Sequence, residues 1–261
     1  MQAHRDGSYS QAQQLLDSAV QTRPRDPVLR ENLADAYVAQ GNFNKAITEL
    51  SRAVEMSGGD SRLSVKLGRL YLQSGSWLAA SEYANRALKA NRKSAEAWAL
   101  LAETKLAKGQ LTDSLADFQR SLRHESSNPN VQFKIAQIQQ LLGRPLRAFS
   151  AVEQLLQDFP VDQQPENALL LAGNLLIKLQ QPAQAIEKLQ IATHRSDATE
   201  AAFIALSSAQ IAIGQPSQAR LTLANAQLRY PRSTDIAGRL ADLQDDAQRI
   251  ASLEHSEIVP R

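Results

Sequence analysis

Four histidines, His4, His124, His194 and His255, are the side chains best suited to acid–base or metal chemistry near neutral pH. They are scattered among turns and termini, and none has a second histidine or a carboxylate at ligand spacing along a helix face. They read as solvated turn residues. Asp242, Asp245 and Asp246 crowd one stretch, but they read as the solvated face of a helix rather than an acid–base pair. The serines fall in caps and turns, with no strand-to-helix elbow to raise a nucleophile. There is no cysteine, which excludes disulfides, thiolate metal sites and cysteine nucleophiles. No strand precedes any glycine, so no phosphate-cradling loop is indicated. Catalysis is not expected, and neither is a metal or an organic cofactor.

One basic cluster, Arg86, Lys89, Arg92 and Lys93, could meet an anion. It falls at the end of a helical stretch, where positive charge is favourable on its own account. No aromatic interleaves with it in a stacking pattern. The whole chain carries 29 basic and 27 acidic residues, a formal charge of +2. Nucleic-acid proteins concentrate charge more strongly, so a nucleic-acid partner is not expected. No apolar run approaches the roughly 20 residues that cross a bilayer. The polar start Met1–Asp6 lacks the apolar segment of a secretory signal. A cytoplasmic protein is the default expectation, and a bacterial periplasmic one follows if a signal has been removed.

The elements that would carry these residues follow from one spacing. Gly7, Gly41, Gly75, Gly109 and Gly143 stand 34 residues apart; after a slip of three, Gln180 takes the glycine's place, and Gly214 resumes the beat. Five residues after each comes a small side chain: Ala12, Ala46, Ala80, Ser114, Ala148, Ala185, Ala219. Twelve residues after come Ala19, Ala53, Ala87, Ser121, Leu155, Ala192 and Ala226. The chain is a repeat array, and its period sets the architecture. Within 27–60, Asp26 is placed to cap a helix that Pro27 begins. Leu29, Leu33, Ala36 and Tyr37 recur at helical steps, Gly41 breaks the run, and Phe43, Ala46, Ile47, Leu50 and Val54 form a second stripe. Each unit is therefore helix–turn–helix. The small residues let its second helix approach both the first helix and the next unit.

A 34-residue unit of this kind resembles the tetratricopeptide repeat. The match rests on the leucine–small pairs Leu33-Ala34, Leu67-Gly68, Leu101-Ala102, Ile135-Ala136, Ala172-Gly173 and Leu206-Ser207. Tyr37, Tyr71 and Trp98 add to it, as do Phe43 and Trp77 after the turn, Phe118 in a second helix, and the closing Pro160 and Pro231. Lys105, Gln139, Leu176 and Gln210 depart from the family's tyrosine, Gln180 departs from its glycine, and 163–165 is an insertion. These departures predict looser or differently curved packing around the fifth and sixth repeats. The resemblance implies an all-α, right-handed superhelical solenoid with a C-terminal capping helix. Its parts are a partial first repeat in 1–26 (second helix only), six repeats (27–60, 61–94, 95–128, 129–162, 166–199, 200–233), a capping helix in 234–254 and a flexible tail in 255–261. The half-unit at the start is expected to mean a piece of a longer array, the alternative being an orphan capping helix.

In that family the first helices of successive repeats line a concave groove that receives a peptide or helix. By the resemblance, the groove positions here are Asp35, Arg69, Glu103, Gln137, Asn174 and Ser208; a second row reads Glu31, Val65, Ala99, Phe133, Leu170 and Ile204. Asp35, Arg69 and Glu103 are expected to pair with one another, while Phe133, Gln137, Leu170, Asn174 and Ile204 are the best candidates to hold a partner. A carboxylate clamp of the chaperone-binding kind is not expected, because Glu31, Asp35 and Glu96 stand where cations and amides are needed. The expectation is a non-catalytic scaffold for a protein or peptide partner, with self-association left open. The alternatives are an RNA-binding repeat, or an accessory region of a larger enzyme or envelope-assembly protein.

Overall fold

The computed structural model describes residues 13–257, and every regular element among them is helical. Helix α1 covers 13–22. It is followed by α2 (Pro27–Ala39), α3 (Phe43–Met56), α4 (Ser61–Gln73), α5 (Trp77–Ala90), α6 (Ala95–Ala107), α7 (Leu111–His124) and α8 (Pro129–Leu141). Then come α9 (Pro145–Gln157), a 3-10 turn (Val161–Gln163), α10 (Glu166–Lys178), α11 (Pro182–His194), α12 (Glu200–Ala212), α13 (Pro216–Arg229) and α14 (Thr234–Glu257). The chain divides into two compact units, 1–131 and 132–261, with the boundary in the first turn of α8. Gly7, His4 and the opening residues of the expected first repeat lie outside the described residues, as do the last four residues of the expected tail.

In the first unit the even-numbered helices begin on side-chain caps. Asp26 accepts from the backbone N–H groups of Val28 and Leu29 at 3.0 and 3.3 Å, with Pro27 next to it. Asp60 accepts from Leu63 N–H at 2.9 Å and Ser94 from Ala97 N–H at 3.2 Å. Each cap satisfies a donor that a helix start leaves open. The small positions do what their size allows. Ala46, Ala53, Ala80 and Ala87 are fully buried. Where serine replaces alanine, its hydroxyl donates to the neighbouring first helix: Ser114 to the Ala102 carbonyl at 2.7 Å, Ser121 to the Ala95 carbonyl at 2.8 Å. The core between them is Leu33, Leu50, Val54, Leu67, Leu100 and Phe118.

In the second unit Ala148, Ala185, Ala192, Ala219 and Ala226 repeat that pattern around Leu155, Leu169, Leu175, Leu189 and Leu223. The looser packing expected of the fifth and sixth repeats is not found between the helices of the fifth, 166–199. Leu175, Leu176 and Leu189 have no exposed surface, and a Cβ added to Gly173 would lie 2.4 Å from Leu189 Cγ. The insertion packs as well, with Gln164 buried and its amide donating to the Leu156 carbonyl at 3.1 Å. α14 buries Ile236 against Leu223 and Ala226, and Leu240 and Leu243 join that cluster.

The turn inside each repeat explains the glycine beat. An N–H three residues past the helix returns to a carbonyl five residues back: Asn42 to Tyr37 at 2.8 Å, Ser76 to Tyr71 at 2.8 Å, Gln110 to Lys105 at 2.9 Å and Gln215 to Gln210 at 2.9 Å. That closure needs a left-handed residue in between, and Gly41, Gly75, Gly109 and Gly214 take φ of 74–77°. Gln181 makes the same bond to Leu176 at 2.9 Å, which forces Gln180 to φ 60°, the one non-glycine residue with positive φ among those described. Gln180→Gly is therefore expected to raise stability by about 1 kcal/mol. Urea unfolding checks this, and an unchanged or lower midpoint would count against the strain.

Candidate functional site

The first helices of the first unit, α2, α4 and α6, border a cleft of about 310 Å³. Its floor is apolar, formed by Ala34, Val38, Val65 and Leu70 with Leu50 of α3 beneath. Its rim carries Asp35, Arg62, Lys66, Arg69 and Glu96. The rim charges follow from helical spacing: Glu31 and Asp35 are four apart on α2, and Arg62, Lys66 and Arg69 fall on one stripe of α4. Arg62 holds Glu31 with two bonds of 2.5 and 2.6 Å, and Lys66 Nζ reaches Glu31 at 2.8 Å and Asp35 at 2.7 Å. The sequence led us to expect Asp35, Arg69 and Glu103 to pair among themselves. Instead Asp35 pairs with Lys66, because the α4 side chain one turn earlier than Arg69 is the one that faces it.

This network sets the electrostatics. Chiefly through the Arg62 bonds, with Lys66 adding to them, the Glu31 carboxyl is lowered from 4.5 to about 2. The stability it lends is present above about pH 4.5 and is lost as pH falls through about 2. Its size is on the order of 1–2 kcal/mol, because Arg62 keeps most of its surface in water. Melting temperature is expected to fall across that window, and Glu31→Gln to flatten the component; an unaltered pH profile in the variant would remove Glu31 as its source. Arg69 is exposed and has no ion-pair partner among the described residues. Glu103 lies on α6, outside the residues that line the cleft.

In the second unit the expected groove residues differ in how far they are covered. Phe133 is half-buried against the cluster that includes Ala136, Leu169 and Ala172. Leu170 and Ile177 pack against the α10–α12 core, and Ile204 against Leu223 and Ile236. Asn174 is exposed and Gln137 partly so. Neither the sequence's charge balance nor its repeat pattern pointed to Arg62, whose bidentate grip on Glu31 ties α2 to α4. The i, i+4 acids of α2 were the available signal.

Trp98 touches the basic cluster, at a backbone carbonyl rather than at one of its cations. Its indole N–H donates to the Arg92 carbonyl at 3.0 Å, and the Arg120 guanidinium lies 5.0 Å over its ring. One face of the ring is thus already covered. Among the described residues no three His, Cys, Asp or Glu gather as metal ligands, and no helix is long and apolar enough to cross a membrane.

The tetratricopeptide repeat profile matches residues 3–64 and 39–104. Over residues 3–104 the chain matches the tetratricopeptide repeat, and the whole has the fold of the tetratricopeptide-repeat solenoids. Its helical pairs, second-unit turns included, have counterparts in solved structures of that fold. PilF of Pseudomonas aeruginosa superposes with a TM-score of 0.68 at 13% identity, covering 84% of this chain and 97% of that one. YrrB, described as a TPR protein with an unusual peptide-binding site, gives 0.61 at 15% identity, covering 72% and 96%. A curated relative, DnaJ homolog subfamily C member 3 of Gallus gallus, is 27% identical over 127 residues, 49% of this chain. The chain spans about a quarter of that relative's length. Tetratricopeptide repeats generally mediate protein–protein interaction, and this repeat protein has the fold for it.

Proposed function

We propose that this repeat protein is a non-catalytic scaffold that docks a peptide or helix of a partner protein on the faces of its first helices. One observation supports this most directly: the α2–α4–α6 cleft has an apolar floor and, at its rim, an exposed arginine with no ion-pair partner among the described residues. Glu31 and Asp35 are occupied by Arg62 and Lys66, so Arg69 and the exposed Glu96 are the rim charges that a partner meets. A segment carrying a carboxylate beside an aliphatic side chain suits such a surface. In this reading Asp35 and Glu103 border the first unit's docking face. In the second unit Asn174 and Gln137 offer amides to an extended backbone, while Phe133, Leu170 and Ile204 shape the wall behind them.

A photo-crosslinking residue at Arg69, a second at Gln137 and a control on α7 at Gln119 test the reading in cell lysate. The expected result is a discrete protein band with a groove probe and none with the control. Arg69→Glu should weaken binding of the captured segment, resynthesised as a peptide, about tenfold or more. Recovery of nucleic acid alone, or of the same bands from all three positions, would reject it.

A further inference from the structure

The strongest unexplained feature lies in the second unit, between two second helices and the first helix that separates them. A cavity of about 270 Å³ opens between α11, α12 and α13, lined by Gln190, His194, Phe203, Gln210, Thr222 and Asn225 among others. It lies where the repeat departs from its own pattern. Four residues before the turn glycine stand Tyr37 and Tyr71, and twelve residues after Tyr71 comes Tyr83. Tyr71 and Tyr83 stack with ring centroids 5.5 Å apart. In the sixth repeat the same pair is Gln210 and Thr222, joined by a 2.9 Å bond from the threonine hydroxyl to the amide oxygen. Where the second repeat holds two rings, the sixth holds an amide and a hydroxyl, and the cavity lies beside them.

The polar groups that line this space are defined. Gln210 is only 4% exposed, and with its oxygen held by Thr222 its NH₂ donates to no other described residue and keeps what contact it has with solvent through the cavity. A ligand oxygen in the cavity would take the place of that solvent as the amide's acceptor. His194 Nδ1 lies 2.7 Å from the Gln190 carbonyl, which makes Nδ1 the donor of the neutral ring and leaves Nε2 as an acceptor. Gln190 and Asn225, both exposed, add amides. Phe203 and Leu206 supply an apolar wall. No carboxylate, lysine or arginine lines the cavity, so a charged ligand meets no counter-charge. An apolar ligand would strand the Gln210 amide.

We propose that this cavity binds a neutral sugar ring. A pyranose has hydroxyl oxygens for the Gln210 amide, hydroxyl protons for His194 Nε2, and a C–H face for the Phe203 side. The volume is just below the usual range of small-ligand pockets, which suits a single ring. The site does not depend on the docking faces of the first helices and stands or falls apart from them.

Saturation-transfer NMR on the full chain, with methyl glucoside, methyl galactoside and N-acetylglucosamine at millimolar concentration, tests it. Transfer to at least one sugar is expected. Gln210→Tyr, which restores the ring found at Tyr71, should abolish transfer while the protein melts no lower. Asn225→Ala and Gln190→Ala, at exposed positions, should each weaken it about threefold or more, and they carry the test if the tyrosine variant does not fold. Absence of transfer from all three sugars overturns the proposal. So does transfer that survives these substitutions, or equal transfer from acetamide that Gln210→Tyr also removes, since the latter would mark a general amide site.

Discussion

Replacing Lys105 and Arg120 together by methionine is expected to cost about 3–5 kcal/mol of stability. Asp117, on α7, has no exposed surface. Its carboxylate is satisfied by Lys105 Nζ at 2.5 Å on one oxygen and by the Arg120 guanidinium on the other. Removal of both cations leaves a buried negative charge with no partner, and its desolvation penalty is no longer offset. Adding Asp117→Leu to the pair should regain most of the loss, because an apolar triad of similar volume does not bear that penalty. Arg120→Met alone is the control, since it also removes the contact over Trp98, worth about 0.5–1 kcal/mol. Urea denaturation of the four proteins reads the cycle. A double variant within about 1 kcal/mol of the parent would mean that water reaches Asp117 and the account is wrong.

Gly173→Ala is expected to lower stability by about 2 kcal/mol even though alanine is the better helix former by about 1 kcal/mol. A Cβ there would sit 2.4, 2.6 and 2.9 Å from Cγ, Cδ2 and Cδ1 of Leu189. Leu189 is fully buried, so the whole side chain rather than one methyl would have to move. Leu189→Ala removes the obstacle at the cost of a void. The two changes should therefore couple favourably, with the double variant less damaged than the sum by about 1 kcal/mol or more. Additive losses would place the clash elsewhere, and a stabilised Gly173→Ala would remove it altogether.

The fold was legible because its determinants are local and periodic. Glycines that must take positive φ, alanines that permit close approach and prolines at helix starts each announce themselves in a single repeat. They then recur at a fixed interval. Even Gln180 could be read as a glycine surrogate from its register alone. The cleft was only half legible. Asp35 and Arg69 lie on its rim, but the partner of Asp35 depends on which turn of α4 faces α2, a matter of helix rotation that spacing leaves undetermined. The apolar residues Phe133, Leu170 and Ile204 were chosen by register, yet whether such a side chain meets solvent or a neighbouring helix is decided by packing. The tyrosine departures were visible as departures. Their compensation twelve residues later, as Lys105 with Asp117 or Gln210 with Thr222, was not, because it crosses a turn and pairs unlike chemistry in each repeat.

In the second unit the start of each first helix is tied to the repeat before it. Glu166 accepts from the Thr199 hydroxyl at 2.6 Å, and Glu200 from the Ser233 hydroxyl at 2.5 Å, one repeat further on. The Arg229 guanidinium donates to the Arg195 and Ser196 carbonyls, and Tyr230 to the Ala198 carbonyl, over the same interval. Interactions of this reach couple nearest neighbours and nothing beyond. Amide exchange in this unit should accordingly be graded rather than all-or-none. Protection would decline from α10 toward α14 as a succession of partial openings, in which loss of one repeat uncaps the next.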